Sequence, residues 1–213
     1  MTTMMSVNKK CSVCGETSSF SVLGSSNSMG SPDLDLRPAP MYRFTMEMWI
    51  HECPECGYVA GDLSEKTKIS REWLETEEYR NCDGIRFKYD LAELFYKRYM
   101  IYMQEGQKRG AFNSIHHAAW ACDDCGDAEN AKHCRRLAVR LVDDFIDQEP
   151  RERRDTLKLI KLDLMRRAEL FEQAHKEYSG TEFEDELLRK ILAFELQKIR
   201  KEDTGCYRVA DVE

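Results

Sequence analysis

Two short cysteine motifs, Cys11-Ser12-Val13-Cys14-Gly15 and Cys53-Pro54-Glu55-Cys56-Gly57, constrain this chain more than any other feature. Two residues between cysteines let both thiolates reach one ion from a tight turn. The glycine after each second cysteine lets the backbone turn back, with its amides free to hydrogen-bond the sulfurs. Two such knuckles supply the four sulfurs of a closed tetrahedral site, and in a loop-rich segment the metal replaces a core too small to build. The predicted ligands are therefore Cys11, Cys14, Cys53 and Cys56. The 38 residues between Cys14 and Cys53 exceed the spacing of a compact ribbon, so an insertion must loop out and return.

Soft tetrahedral sulfur ligation suits one structural zinc ion, with iron as the second choice. The later knuckle, with Pro54 and Tyr58 around it, is similar to half of a rubredoxin site, but a rubredoxin is a compact electron carrier and this ribbon precedes a long helical segment. No apolar leader occupies Met1 to Lys10, and no run approaches the ~20 apolar residues that cross a bilayer. The expectation is a soluble cytoplasmic protein with no membrane contact, whose nine cysteines stay reduced.

The net charge is −7, and residues 1–60 carry four basic against six acidic residues. Nucleic-acid binding rests on neutralising phosphates, so this balance disfavours it.

Composition changes near residue 64. Before it the chain is rich in Ser, Gly, Pro and Met. Residues 25–32 read as loop, Asp33 to Pro38 alternates like a short strand, and Tyr42 to His51 reads as a strand entering the second knuckle. After it, apolar residues recur at helical spacing. Helices are expected over Arg71–Tyr79, over Phe87–Gln107, around Phe112 to Cys122, and from Asp127 through Phe145. Further ones are expected over Arg153–Tyr178 and from a Thr181-Glu182-Phe183-Glu184 capping box to about Lys201. Short connections imply antiparallel hairpins. The fold class is α+β, mostly α: a β-rich ribbon (1–63), an antiparallel helical domain (64–204) and a tail (205–213) expected to fray.

Other residues carry weaker signals. Asp33, Asp35 and Arg37 form either an Asp–Arg pair pinning the insertion or a site for a small polar ligand. Cys122, Cys125 and the nearby Cys134 make a third cysteine cluster, but Cys122 and Cys134 lie on apolar stripes and the pair closes a helix, so they read as core. His116 and His117 lie mid-helix near Trp120 and read as packing residues. His51 reads as a strand residue beside the metal shell.

The first knuckle, the Gly30-to-Pro38 stretch, Trp49 and the Cys53-to-Tyr58 segment resemble a bacterial family that joins a two-knuckle zinc ribbon to tetratricopeptide-like helices. Ala118-Ala119-Trp120, Asp124 to Asp127, Ala131 and Ala138 are similar to one tetratricopeptide helix pair, while residues 150–203 carry no second such repeat. The resemblance implies zinc on the four matching cysteines and a helical scaffold, and it supplies no activity. The function expected is a non-catalytic zinc-binding scaffold or adaptor for a protein or peptide partner. The alternatives are a nucleic-acid-binding ribbon, an iron electron carrier, and an enzyme built on Asp33, Asp35, Arg37 or His116.

Overall fold

The computed structural model describes residues 2–212, so Met1 of the ribbon and Glu213 of the tail lie outside it. Each cysteine knuckle is the loop of an antiparallel hairpin. β1 (Thr3–Lys10) and β2 (Thr17–Ser25) flank the first, in register from Lys10 opposite Thr17 to Met4 opposite Leu23. β3 (His51–Glu52) and β4 (Val59–Ala60) flank the second, with His51 opposite Ala60.

The segment expected to be a strand from Tyr42 to His51 is instead a 3-10 helix over Tyr42–Met48, and only His51 and Glu52 extend. Thr45 explains the change. Its hydroxyl donates to the Tyr42 carbonyl at 2.8 Å and accepts from Trp49 Nε1 at 2.8 Å, contacts three and four residues away that only a helical turn brings together. Asp33 to Pro38 is likewise a turn rather than a strand. Asp33 N donates to Arg37 O, and Leu36 N to Asp33 O.

Two one-turn helices, α1 (Arg71–Leu74) and α2 (Glu77–Arg80), replace the single helix expected over residues 71–79. The Ser70 and Thr76 side chains each cap the next helix by accepting from an amide three residues on, so Thr76 starts a new helix where one was expected to continue. α3 (Asp90–Gln104), α4 (Lys108–Asp124) and α5 (Ala128–Asp143) follow as hairpins. At the α4–α5 turn, Asp127 N reaches back to Cys122 O and Gly126 N to Asp123 O, which satisfies the last carbonyls of α4.

The long helix expected over Arg153–Tyr178 is two: α6 (Arg151–Arg167) and α7 (Phe171–Tyr178). Glu169 takes a left-handed φ of 62°, and Leu170 N closes on Met165 O with the same backward bond that Gly126 permits earlier. α8 (Glu186–Arg200) is capped by Asp185, which accepts from Leu188 N, and not by the Thr181 motif.

α3 packs on α4, α4 on α5, α5 on α6, and α6 on both α7 and α8. One apolar cluster runs from Cys11, Cys53, Val59 and Leu63 of the hairpins through Phe95 and Ile101 of α3 to Leu164 and Ile199. The described part of the tail is docked. Leu34 N donates to Tyr207 O and Val209 N to Pro32 O, so residues 207–209 lie along the insertion and hold it against the helices. No described helix is long and apolar enough to cross a membrane.

Candidate metal centre

The two knuckles close with one hydrogen-bond pattern. Cys11 N donates to Glu16 O and Gly15 N to Cys11 O; Cys53 N donates to Tyr58 O and Gly57 N to Cys53 O. Gly15 and Gly57 sit at φ of 81° and 73°, where a Cβ would be strained, which accounts for glycine following each second cysteine.

The hairpins bring the knuckles face to face. All four sulfurs lie within 4.8 Å of one another. Across the knuckles, Cys11 Sγ is 3.7 Å from Cys56 Sγ, and Cys14 Sγ is 3.6 Å from Cys53 Sγ. A disulfide needs sulfurs ~2 Å apart, so these are free thiols. A tetrahedron with metal–sulfur bonds of ~2.3 Å has edges of ~3.8 Å, close to both cross-knuckle distances. Cys11 and Cys53 are buried, while Cys14 and Cys56 are half-buried.

The electrostatics are those of a cluster short of positive charge. Burial works against ionising Cys14, but the backbone at Glu16 and then the Cys53, Cys11 and Cys56 thiols donate to its sulfur, so its pKa falls below the ordinary 9.0. Burial pushes the Cys53 and Cys56 thiols up. Ionisation is favoured at Cys14 and resisted at Cys53 and Cys56. A soft divalent cation is the group that would draw off the remaining protons.

Neighbouring contacts hold the knuckles in place. Ser12 N donates to Leu63 O, Lys9 pairs with Asp62 at 2.7 Å, and Lys97 of α3 reaches Glu52 at 3.1 Å. His51 lies in β3 with its ring 5.0 Å from Phe20, outside the sulfur cluster. Burial depresses its pKa, so it is a neutral packing residue.

Asp33, Asp35, Arg37 and His116 are all buried, and the side chains of Asp33 and Arg37 pair elsewhere than with each other. Arg43 takes Asp33 at 2.7 Å, and Asp124 takes Arg37 at 2.5 Å. Asp35 is the centre. Its Oδ2 meets Trp120 Nε1 at 2.7 Å, Arg167 Nη1 at 3.1 Å and His116 Nε2 at 3.2 Å, while Arg37 N donates to Oδ1 at 3.1 Å. Burial alone would raise the Asp35 carboxyl, but the hydrogen bond and charge of His116, the Arg167 guanidinium and the Trp120 indole hold it far below the carboxylate range. Both oxygens accept from protein donors, so this cluster pins the insertion to α4 and α6. Arg167 also pairs with Asp123 at 2.6 Å, which Arg135 of α5 contacts too. The spacing of His116 gave no sign of this carboxylate, which lies 81 residues earlier in the chain.

Cys122 and Cys134 are fully buried in the helical core, and Cys125 Sγ is 3.3 Å from Cys122 O. Among the described residues, only the four knuckle cysteines form a group able to hold a metal ion. Comparison with protein-family models, with curated proteins and with solved structures finds no match. The structure brings together the four cysteines that the family resemblance matched.

Proposed function

We propose that Cys11, Cys14, Cys53 and Cys56 hold one zinc ion whose role is structural, and that the protein is a non-catalytic scaffold or adaptor. The observation that carries the metal reading is the pair of cross-knuckle sulfur distances, 3.7 and 3.6 Å, which match the edges of a zinc–thiolate tetrahedron. All four positions are filled by protein, leaving none for a reacting water. The ion braces the second hairpin, whose β3 and β4 pair over only two residues each, against the longer first one.

The adaptor reading rests on the surface and on the hairpins. Among the described residues, the exposed large apolar side chains are Met4, Met5, Met29, Leu36, Met41, Tyr42 and Phe44, with Leu187 the single one beyond the insertion. Flexible Met side chains and aromatics at a surface suit protein recognition. Ala118, Ala119, Ala131 and Ala138, all essentially buried, let α4 and α5 approach closely, which supports a tetratricopeptide-like pair. In this reading residues 1–63 are the metal unit and 64–204 the helical unit, and the apolar cluster they share supports their acting as one body.

The test is elemental analysis of the purified protein with its visible spectrum. One zinc per chain and a colourless solution are expected. Stoichiometric iron with visible absorption that bleaches on reduction overturns the zinc assignment, and a metal-free, fully folded protein overturns the site.

A further inference from the structure

A cavity of about 170 Å³ opens at the seam between the ribbon and the α3–α4 hairpin. Trp49 lines it from the ribbon side, Phe95, Arg98 and Tyr102 from α3, and Ser114 and His117 from α4. It is smaller than the ~300–1,000 Å³ of sites for drug-sized ligands, so a small molecule is the fit.

Arg98 is the feature that calls for a ligand. It is buried, with its guanidinium 4.0 Å above the Tyr102 ring. Nη1 donates to Val59 O at 3.2 Å and to Tyr58 Oη at 3.3 Å, both uncharged. The nearest carboxylate, Glu65, is 3.8 Å from Nη2 and 63% exposed, and Arg98 Nε is buried with no partner. A buried cation with one loose counter-charge and an idle donor is costly unless something completes it.

Ser114 and His117 bring further polar groups to the same lining. Burial holds His117 neutral, with its pKa at about 3, so its imidazole adds hydrogen-bonding capacity without charge. That imidazole meets Trp49 at 5.3 Å and Phe95 at 5.2 Å, both edge-on, giving the cavity aromatic walls. Gly110 shapes the floor: a Cβ there would fall 2.8 Å from the Tyr102 ring that carries the guanidinium.

We propose that this seam cavity binds a small planar carboxylate, its anionic head on Arg98 and Ser114 and its flat body against Trp49, Phe95 and His117. One guanidinium matches a single negative charge, the planar fork matches a carboxylate, and the aromatic walls favour an unsaturated body. The site is separate from the metal proposal and stands whichever ion the cysteines hold.

Benzoate is the probe, and the Trp49 indole N–H cross-peak in heteronuclear NMR of the protein as purified is the readout. Benzoate at millimolar concentration should shift that peak saturably, while isosteric, uncharged benzamide should not. Ser114→Ala should weaken benzoate roughly tenfold, the scale of one hydrogen bond to a charged group, and Arg98→Met should abolish binding. If Arg98→Met does not fold, the benzamide comparison and Ser114→Ala decide. Equal response to benzoate and benzamide, no shift with benzoate, or binding of inorganic phosphate in preference to benzoate overturns the proposal.

Discussion

The hydroxyl of Tyr79 donates to the carbonyl of Gly57 across 2.6 Å, which ties α2 to the residue directly after Cys56. Burial, followed by the Glu52 carboxylate, pushes the phenol far above its usual range, so it remains a donor. The second knuckle is therefore held from the helical side as well as by its own short ladder.

Tyr79→Phe removes that donor and leaves a knuckle carbonyl unpaired while keeping the ring. We expect a loss of about 1–2 kcal/mol in stability by urea denaturation, and metal release at lower chelator concentration than in the parent. An unchanged chelator midpoint would show that α2 does not support the knuckle.

Cys14→Ser and Cys53→Ser should each reduce bound metal to well below one equivalent and lower the melting temperature. Cys125→Ser lies outside the sulfur cluster and should change neither. Elemental analysis and thermal melts of the three variants check the ligand set. Full metal retention by either knuckle variant would contradict the four-sulfur assignment.

Arg167→Met strips Asp35 of a charged partner inside the protein. Breaking one side of a buried pair costs about 3–5 kcal/mol. Asp35→Asn in the same chain should recover part of that loss, because the uncompensated charge is then gone. A double-mutant cycle by denaturation measures it, and strictly additive effects would mean the two side chains do not interact.

Asp203 gives a prediction in pH. Its carboxylate accepts from Tyr207 Oη at 2.5 Å, Gly205 N at 2.8 Å and Lys198 Nζ at 3.2 Å, and these bonds, Tyr207 foremost, hold its pKa at about 2 against an ordinary 3.8. A carboxyl depressed in the folded state stabilises above its unfolded pKa and loses that contribution as it is protonated. The tail should stay docked above about pH 4 and loosen as pH falls toward about 2. Hydrogen exchange at the Tyr207 to Ala210 amides follows this, and Asp203→Asn should show fast exchange throughout.

What could be read from the sequence depended on whether a residue type was forced. Gly15 and Gly57 are required by their positive φ, and the paired cysteines by their chemistry, so the knuckles were legible. The helices were legible by period. β1 was not, because its Thr3–Ser6 stretch is exposed on both faces and shows no buried alternation. The break between α6 and α7 was hidden because Glu169 does there what a glycine usually does. The Asp35–Arg167 pair spans 132 residues, and no local pattern announces a contact of that range. Alternating charges in Asp33 to Arg37 suggested a half-exposed strand; they turn inward because partners from α4, α6 and Arg43 meet them.

The insertion between the knuckles is riveted at its middle, where Asp35 and Arg37 engage α4 and α6. If the cysteine cluster were emptied, the 38-residue span would not become one free tether, because residues 33–37 would remain anchored. Each half-span would be left to hunt over a short radius, and shorter spans close at lower entropic cost. Recapture of an ion would then resemble a hinge shutting more than the closing of a long, free loop.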